Sequence, residues 1–296
     1  MGKRIFLFLL TNLAVVVVLS TILSLLGVGS YIGPDGSLQL VPLAIFCFVW
    51  GMGGAFISLQ LSRWIAKRAM GVQLVNGQTG HAELDWLHTT VANLTRQANL
   101  PMPEVGVYES AEVNAFATGP SKKRSLVAVS SGLLANMTHP QIEAVLGHEV
   151  GHIANGDMVT MTLLQGVINA FVLFFARVAA FAVRLAVPEK IAWIAGFVTT
   201  IVLQIVLGIL GSLVTAWFSR QREFRADAAG ATLGSRDGMI SALRQLMTTT
   251  ERIDTSNAAL ATMKIAGKKS WLHAFSTHPP LEVRIAALEA GRYQAR

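Results

Sequence analysis

Long uncharged stretches alternate with polar ones along this chain, and the alternation predicts its organisation. Residues 5–28 and 38–61 contain no Asp, Glu, Lys or Arg. At ~1.5 Å per residue, a helix over either stretch spans the ~30 Å hydrocarbon core of a bilayer. Between them, Gly33-Pro34-Asp35-Gly36 reads as a turn. Residues 158–218 form a second apolar block, interrupted only by Arg177, Arg184 and Pro188-Glu189-Lys190, and its length suits two further crossings. Residues 62–157 and 219–296 are mixed in polarity. The expected organisation is a membrane hairpin over 1–61, the first part of a water-facing domain over 62–157, a second membrane hairpin over 158–218, and the rest of the water-facing domain over 219–296. Lys3 and Arg4 precede the first run as they would in a cleaved signal peptide, but that run exceeds the usual apolar core of ~7–15 residues, so it reads as an anchor.

Within the polar segments the periods change. Leu84, Leu87, Val91 and Leu94 recur at helical spacing, which predicts an amphipathic helix ending before Pro101. Short β-favouring stretches at 104–108, 113–118 and 125–130 read as a small β-meander. Pro140 then opens a helix on which Ile142, Leu146, Val150 and Ile153 form one stripe, with His148 and His152 roughly opposite. A last helix starts at Pro279-Pro280 and carries Leu281, Ile285 and Leu288 on one face.

Composition supports the membrane reading: 52% of residues are hydrophobic and 14% charged, and the mean hydropathy is +0.51, outside the range of an ordinary soluble domain. The net charge of +7 raises nucleic acid as a partner, yet the cations Lys3, Arg4, Arg63, Lys67, Arg68, Arg220, Arg222 and Arg225 flank the apolar runs. Orientation explains them better: they place the N-terminus and both polar segments on the cytoplasmic side, with Arg177, Arg184 and Lys190 towards the other. The two arginines are expected to snorkel to the far interface. Cys47, the only cysteine, allows no intrachain disulfide and reads as packing.

The chemistry is concentrated in His148-Glu149-Val150-Gly151-His152, an H-E-x-x-H pattern that puts two imidazoles on one helical face with a carboxylate beside them. Such a pair can hold zinc, but a catalytic site usually needs a third protein ligand. The other histidines are His81, His88, His139, His273 and His278; the strongest carboxylate candidate is Glu223, in Gln221-Arg222-Glu223-Phe224-Arg225-Ala226-Asp227. Asp227, four residues on, shares its helical face and could receive the N–H of a zinc-bound imidazole. Asp157 reads as the N-cap of the following span.

These motifs, with Asn155-x-Asp157, Asn114-Ala115-Phe116-Ala117-Thr118-Gly119 and Thr277-His278-Pro279-Pro280, resemble the HtpX-type membrane zinc metalloproteases, wider relatives of the CaaX prenyl endopeptidases. The likeness extends over nearly the full chain. It implies one Zn2+ per chain held by His148, His152 and Glu223, with Glu149 as catalytic acid and base and His278 stabilising the oxyanion. It also implies a peptide substrate lying along Asn114, Ala115, Phe116 and Ala117. The expected protein is mainly α, with four apolar membrane helices and a zincin-like catalytic domain of gluzincin type. It would be a multi-pass endopeptidase of the bacterial inner membrane, its site on the cytoplasmic side. Polypeptides, above all misfolded or damaged membrane proteins under stress, would be its substrates and the lipid bilayer its surroundings, with no role for nucleic acid. Two other readings are an intramembrane or CaaX-type protease and a non-catalytic zinc-binding scaffold. The polar residues on both sides of His148 and His152 speak against the first, and an intact Glu149 against the second.

His152 and Glu223 can share an ion only if the apolar block between them returns to the side it left, which excludes an odd number of crossings. Reporters fused after Asp157 and after Arg225 are therefore expected in the same compartment, and one fused at Glu189 in the opposite one. Opposite compartments for the first two would contradict the shared site.

Overall fold

Uncharged runs too long for a soluble core become long helices in the computed structural model, which describes residues 17–25, 27, 30–256 and 276–291. Most of the run 5–28, the cations Lys3 and Arg4, and His273 lie outside the described residues; residues 17–25 are helical. Helix α1 is Leu40–Met70, α5 is Asp157–Ala186 and α6 is Glu189–Gly230. Among the described residues these three helices are long and apolar enough to cross a membrane. Their surfaces are what a bilayer requires: Trp193, Phe197 and Ile205 on α6 and Phe171 and Phe175 on α5 are all more than half exposed, an arrangement water would penalise.

The chain divides into two compact units, Met1–Leu59 with Thr160–Thr215, and Gln60–Val159 with Ala216–Arg296. In the first unit, α5 and α6 flank Pro188, which cannot continue a helix. Arg184 lies against Gly196 and Ile168 against Gly211; as one partner advances along α6 the other recedes along α5, so the two helices form an antiparallel hairpin. Arg177 departs from the snorkelling expectation. Its guanidinium lies 5.1 Å from the centroid of the Phe46 ring and donates to Leu173 O at 3.2 Å, so the charge is met by an aromatic face and a carbonyl of its own helix.

In the second unit, strands β1 (Gln73–Val75), β2 (Glu104–Tyr108), β3 (Ala115–Ser121) and β4 (Arg124–Ser130) form one sheet in the order β1-β2-β4-β3. This corrects the expected meander: β4 inserts between β2 and β3 and pairs with β2 in parallel. The physical reason lies in the strands themselves. β4, Arg-Ser-Leu-Val-Ala-Val-Ser, is buried from Ser125 to Ser130 and takes the place where both edges are paired. β3 contains Pro120, which cannot donate to a ladder, and goes to the edge.

One sheet face packs Val105, Val127 and Val129 against Leu87, Val91 and Leu94 of α2 (Ala82–Gln97) and against Ile142, Leu146, Val150 and Ile153 of α4 (His139–Asn155). The short helix α3 (Ser131–Asn136) leads into α4. Beyond Gly230 the chain kinks at Gly234 and enters α7 (Arg236–Ser256). Met239, Ile240 and Leu243 of α7 then pack with Ala144 of α4 and with Ile285 and Leu288 of α8 (Leu281–Glu289).

The His-bearing face of α4 is therefore not solvent-facing but is crossed by the end of α6. Small residues permit the crossing: a Cβ on Gly151 would meet Ala229 Cβ at 2.5 Å, and one on Gly230 would meet Ala144 O at 2.7 Å. Gly151→Val is expected to push the two helices apart. Membrane insertion should be unchanged, while bound metal, measured by atomic emission on the purified protein, falls at least about tenfold. Unchanged metal content would show that the close crossing does not hold the site.

Candidate metal centre

Local signals set the ends of α4. Gln141 Oε1 accepts from the Thr138 N–H at 2.8 Å, half of a capping box, and Gly156, at φ +67°, closes the other end in the left-handed region. Between them His148 and His152 stand one turn apart with Nε2 atoms separated by 3.1 Å. Glu223 enters from α6, past Phe218, where the apolar stretch gives way to Ser-Arg-Gln-Arg-Glu. Its Oε2 lies 3.7 Å from His148 Nε2 and its Oε1 3.6 Å from His152 Nε2. One ligand atom from each of the three residues lies within 4.8 Å of the others. Donor atoms on a tetrahedral ion at ~2.0–2.1 Å stand about 3.3 Å apart, so this triangle has the size a metal ion requires.

The hydrogen bonds behind the imidazoles sharpen that conclusion. His148 Nδ1 is 2.9 Å from Asp227 Oδ1, and His152 Nδ1 is 2.7 Å from Asp157 Oδ2. An ionised carboxylate only accepts, so each Nδ1 donates and each Nε2 lone pair is directed inward. Two such nitrogens 3.1 Å apart need a positive charge between them, a shared proton or a metal ion. Glu223 Oε2 points the same way: it is buried and makes no hydrogen bond of acceptable geometry, although His278 Nδ1 is 2.9 Å and Arg284 Nη1 3.2 Å away. The donor set fits a divalent metal.

Charge in the centre is dominated by buried acids. Asp157, Glu223 and Asp227 are each 2% exposed and Glu149 is 8% exposed. Arg284, also buried, donates through Nε to Asp227 Oδ2 at 2.7 Å and through Nη2 to Oδ1 at 2.6 Å, the bidentate fork that guanidinium geometry favours. Burial alone pushes the Glu223 carboxyl up, but the approach of His278 and the charges of His148 and Arg284 outweigh it and bring it down to about 2. Asp227 is likewise lowered, with burial opposing and Arg284 and His148 prevailing. His152 is raised: burial works against its charge, and Asp157, Glu149 and Glu223 more than compensate.

The structure thus brings His148, His152, Glu223 and Asp227 together, with Glu149 buried on the same helix. His278 reaches Glu223 from the outside, its side chain 65% exposed. Asn114 is not part of this cluster. It is exposed just before β3, its backbone held by Ser130, whose N donates to Asn114 O at 2.9 Å and whose Oγ accepts from Asn114 N at 3.1 Å. Ala115 and Ala117 pack on the core and Phe116 on the other sheet face, against Tyr108. Two residues carry more than the sequence reading assigned them. Asp157 does begin α5, but its side chain holds His152 rather than serving only as a cap. Arg284 was missed, although the signal was present: it shares the helical face of Leu281, Ile285 and Leu288, a charge inside an apolar stripe.

Membrane-capable helices joined to a unit in which H-E-x-x-H and a distant glutamate converge define a membrane metalloendopeptidase, with polypeptides as substrates. The chain belongs to peptidase family M48, whose family model matches residues 81–292. It is 56% identical to a protein named Protease HtpX homolog from Bacillus licheniformis, over 98% of this chain and 100% of that one. The Protease HtpX homolog of Bacillus subtilis is 52% identical over 98% and 100% of the two chains, and Protease HtpX of Cellvibrio japonicus 50% identical over 96% and 97%. The crystal structure of S. mikatae Ste24p shares the fold, with a TM-score of 0.61 at 19% identity, over 97% of this chain and 66% of that one.

In the metal-free protein the depressed Glu223 carboxyl contributes stability that is fully present above its ordinary value of 4.5 and is lost as pH falls towards about 2, on the order of 3 kcal/mol. Arg284→Met is therefore expected to cost about 3 kcal/mol or more at pH 7. The deficit should shrink as pH falls below 4.5, because the buried acids of the variant take up protons. Thermal unfolding of metal-free protein in detergent measures both; a deficit independent of pH would contradict this reading of the centre's charge.

Proposed function

We propose that this chain is a zinc endopeptidase of the bacterial inner membrane, one Zn2+ per chain, its catalytic unit on the cytoplasmic side. The observation that carries the reading is the convergence of His148, His152 and Glu223, with both imidazoles backed by buried carboxylates. Two imidazoles and a carboxylate form a gluzincin-type ligand set that leaves a fourth position open. When bound, the ion polarises a water molecule and the scissile carbonyl. Glu149, next to His148 on α4, takes up a proton at its carboxylate and delivers it to the leaving amine. His278, on the open side of the centre, supplies a donor for the oxyanion. Asp227 and Asp157 keep both imidazoles in the ligating tautomer, and Arg284 holds Asp227 in place.

The substrate is received along β3. Its outer edge is unpaired among the described residues, and within the stretch Asn114, Ala115, Phe116 and Ala117 the backbone groups of Ala115 and Ala117 alternate towards that edge, where an extended peptide would pair by strand addition, while Asn114 is anchored by Ser130. Recognition through the backbone tolerates many sequences, which suits removal of misfolded or damaged membrane proteins. Four crossings are supported by the uncharged run 5–28 together with α1, α5 and α6, and the flanking cations support the cytoplasmic orientation. The division proposed is membrane hairpins over 1–61 and 158–218 and catalytic segments over 62–157 and 219–296.

Glu149→Gln separates catalysis from metal holding. Casein cleavage is expected to fall about 10²–10⁴-fold while metal content stays that of the unaltered protein. Equal cleavage would remove Glu149 from the reaction, and loss of metal along with activity would assign it to the ligand set instead.

A further inference from the structure

The turn between β3 and β4 carries Lys122-Lys123-Arg124, all exposed. Among the described residues none of the three pairs with a carboxylate. Arg124 donates instead through Nη2 to Gln60 Oε1 at 2.8 Å, and that contact gives the turn its level relative to the bilayer. Gln60 stands at the end of the uncharged stretch 38–61 of α1, and the first charge beyond it, Arg63, comes one turn later. On the same helical face as Gln60, Trp64 is 44% exposed, as a tryptophan at headgroup depth would be. Of the cations on α1, Arg63 and Lys67 share one counter-charge, with Arg63 Nη1 3.2 Å and Lys67 Nζ 3.0 Å from the Glu104 carboxylate, while Arg68, a turn beyond Trp64, is exposed and adds to the positive face. The turn therefore holds three adjacent cations without counter-charge beside the place where α1 leaves the hydrocarbon.

We propose that Lys122, Lys123 and Arg124 dock on anionic phospholipid headgroups of the bilayer that α1 crosses. An anionic surface attracts each nearby lysine strongly enough to fix such a turn, and the attraction decays within about 10 Å in salt, so only a turn held at this level benefits. Because the turn ends β3, docking also steadies the edge strand. The proposal is independent of the metal chemistry.

Amide hydrogen exchange of residues 119–125 tests it, using the full chain in nanodiscs of phosphatidylcholine alone or of phosphatidylcholine with phosphatidylglycerol. Exchange is expected to be about fivefold slower or more with the anionic lipid, and the difference to vanish at high salt. Lys122→Glu/Lys123→Glu and Lys122→Gln/Lys123→Gln should abolish the difference, and Lys122→Arg/Lys123→Arg should keep it; unchanged exchange of α4 controls for folding. Equal exchange of the unaltered protein in both lipids, or a difference that survives both the Glu and Gln replacements, would overturn the proposal. So would equal slowing by inorganic phosphate added to phosphatidylcholine discs, which would point to free anion rather than lipid.

Discussion

Two imidazole Nε2 atoms 3.1 Å apart, each on a ring whose Nδ1 is committed to a buried carboxylate, are the constraint on which the rest of this structure depends. Asp227 holds His148 and Asp157 holds His152, so turning either ring away breaks a buried hydrogen bond to an acid. The centre is thus a concentration of negative charge that requires a cation. Arg284 supplies one positive charge on the outer side, and the donor set within fits a divalent ion that would offset two more.

That requirement accounts for the chain's path. The ligands lie on two segments separated by a long apolar block, and only a hairpin that returns to its starting side can bring them together. α5 and α6 make that return around Pro188. The glycines at the crossing, Gly151 on α4 and Gly230 at the end of α6, then let the two backbones approach closely enough for a short carboxylate side chain to reach imidazoles one helix away. Membrane topology and metal chemistry are one geometric solution, with the sheet and α2 serving as the rigid backing for α4.

How much of this was legible in the sequence follows from how local each signal is. H-E-x-x-H is written within one helical turn and a half, and Glu223 with Asp227 within another, so both were readable without coordinates. The apolar runs were equally plain, because length and lack of charge suffice to mark them. Strand order was not: β4's insertion between β2 and β3 depends on which strand is most buried, a comparison among distant segments. The role of Asp157 was hidden because helix capping explains an aspartate there just as well, and only the position of His152 decides. Arg284 lies more than 130 residues from His152, and its apolar helical face was read for its leucines while the charge within it passed unread.

X-ray absorption at the metal edge of the purified full-length protein tests the central claim most directly. The account predicts one zinc per chain in a light-atom shell of two imidazole nitrogens and oxygen, with one oxygen contribution lost in Glu223→Ala and one imidazole lost in His152→Ala. A shell unaltered by Glu223→Ala, or a sulfur ligand, would contradict it.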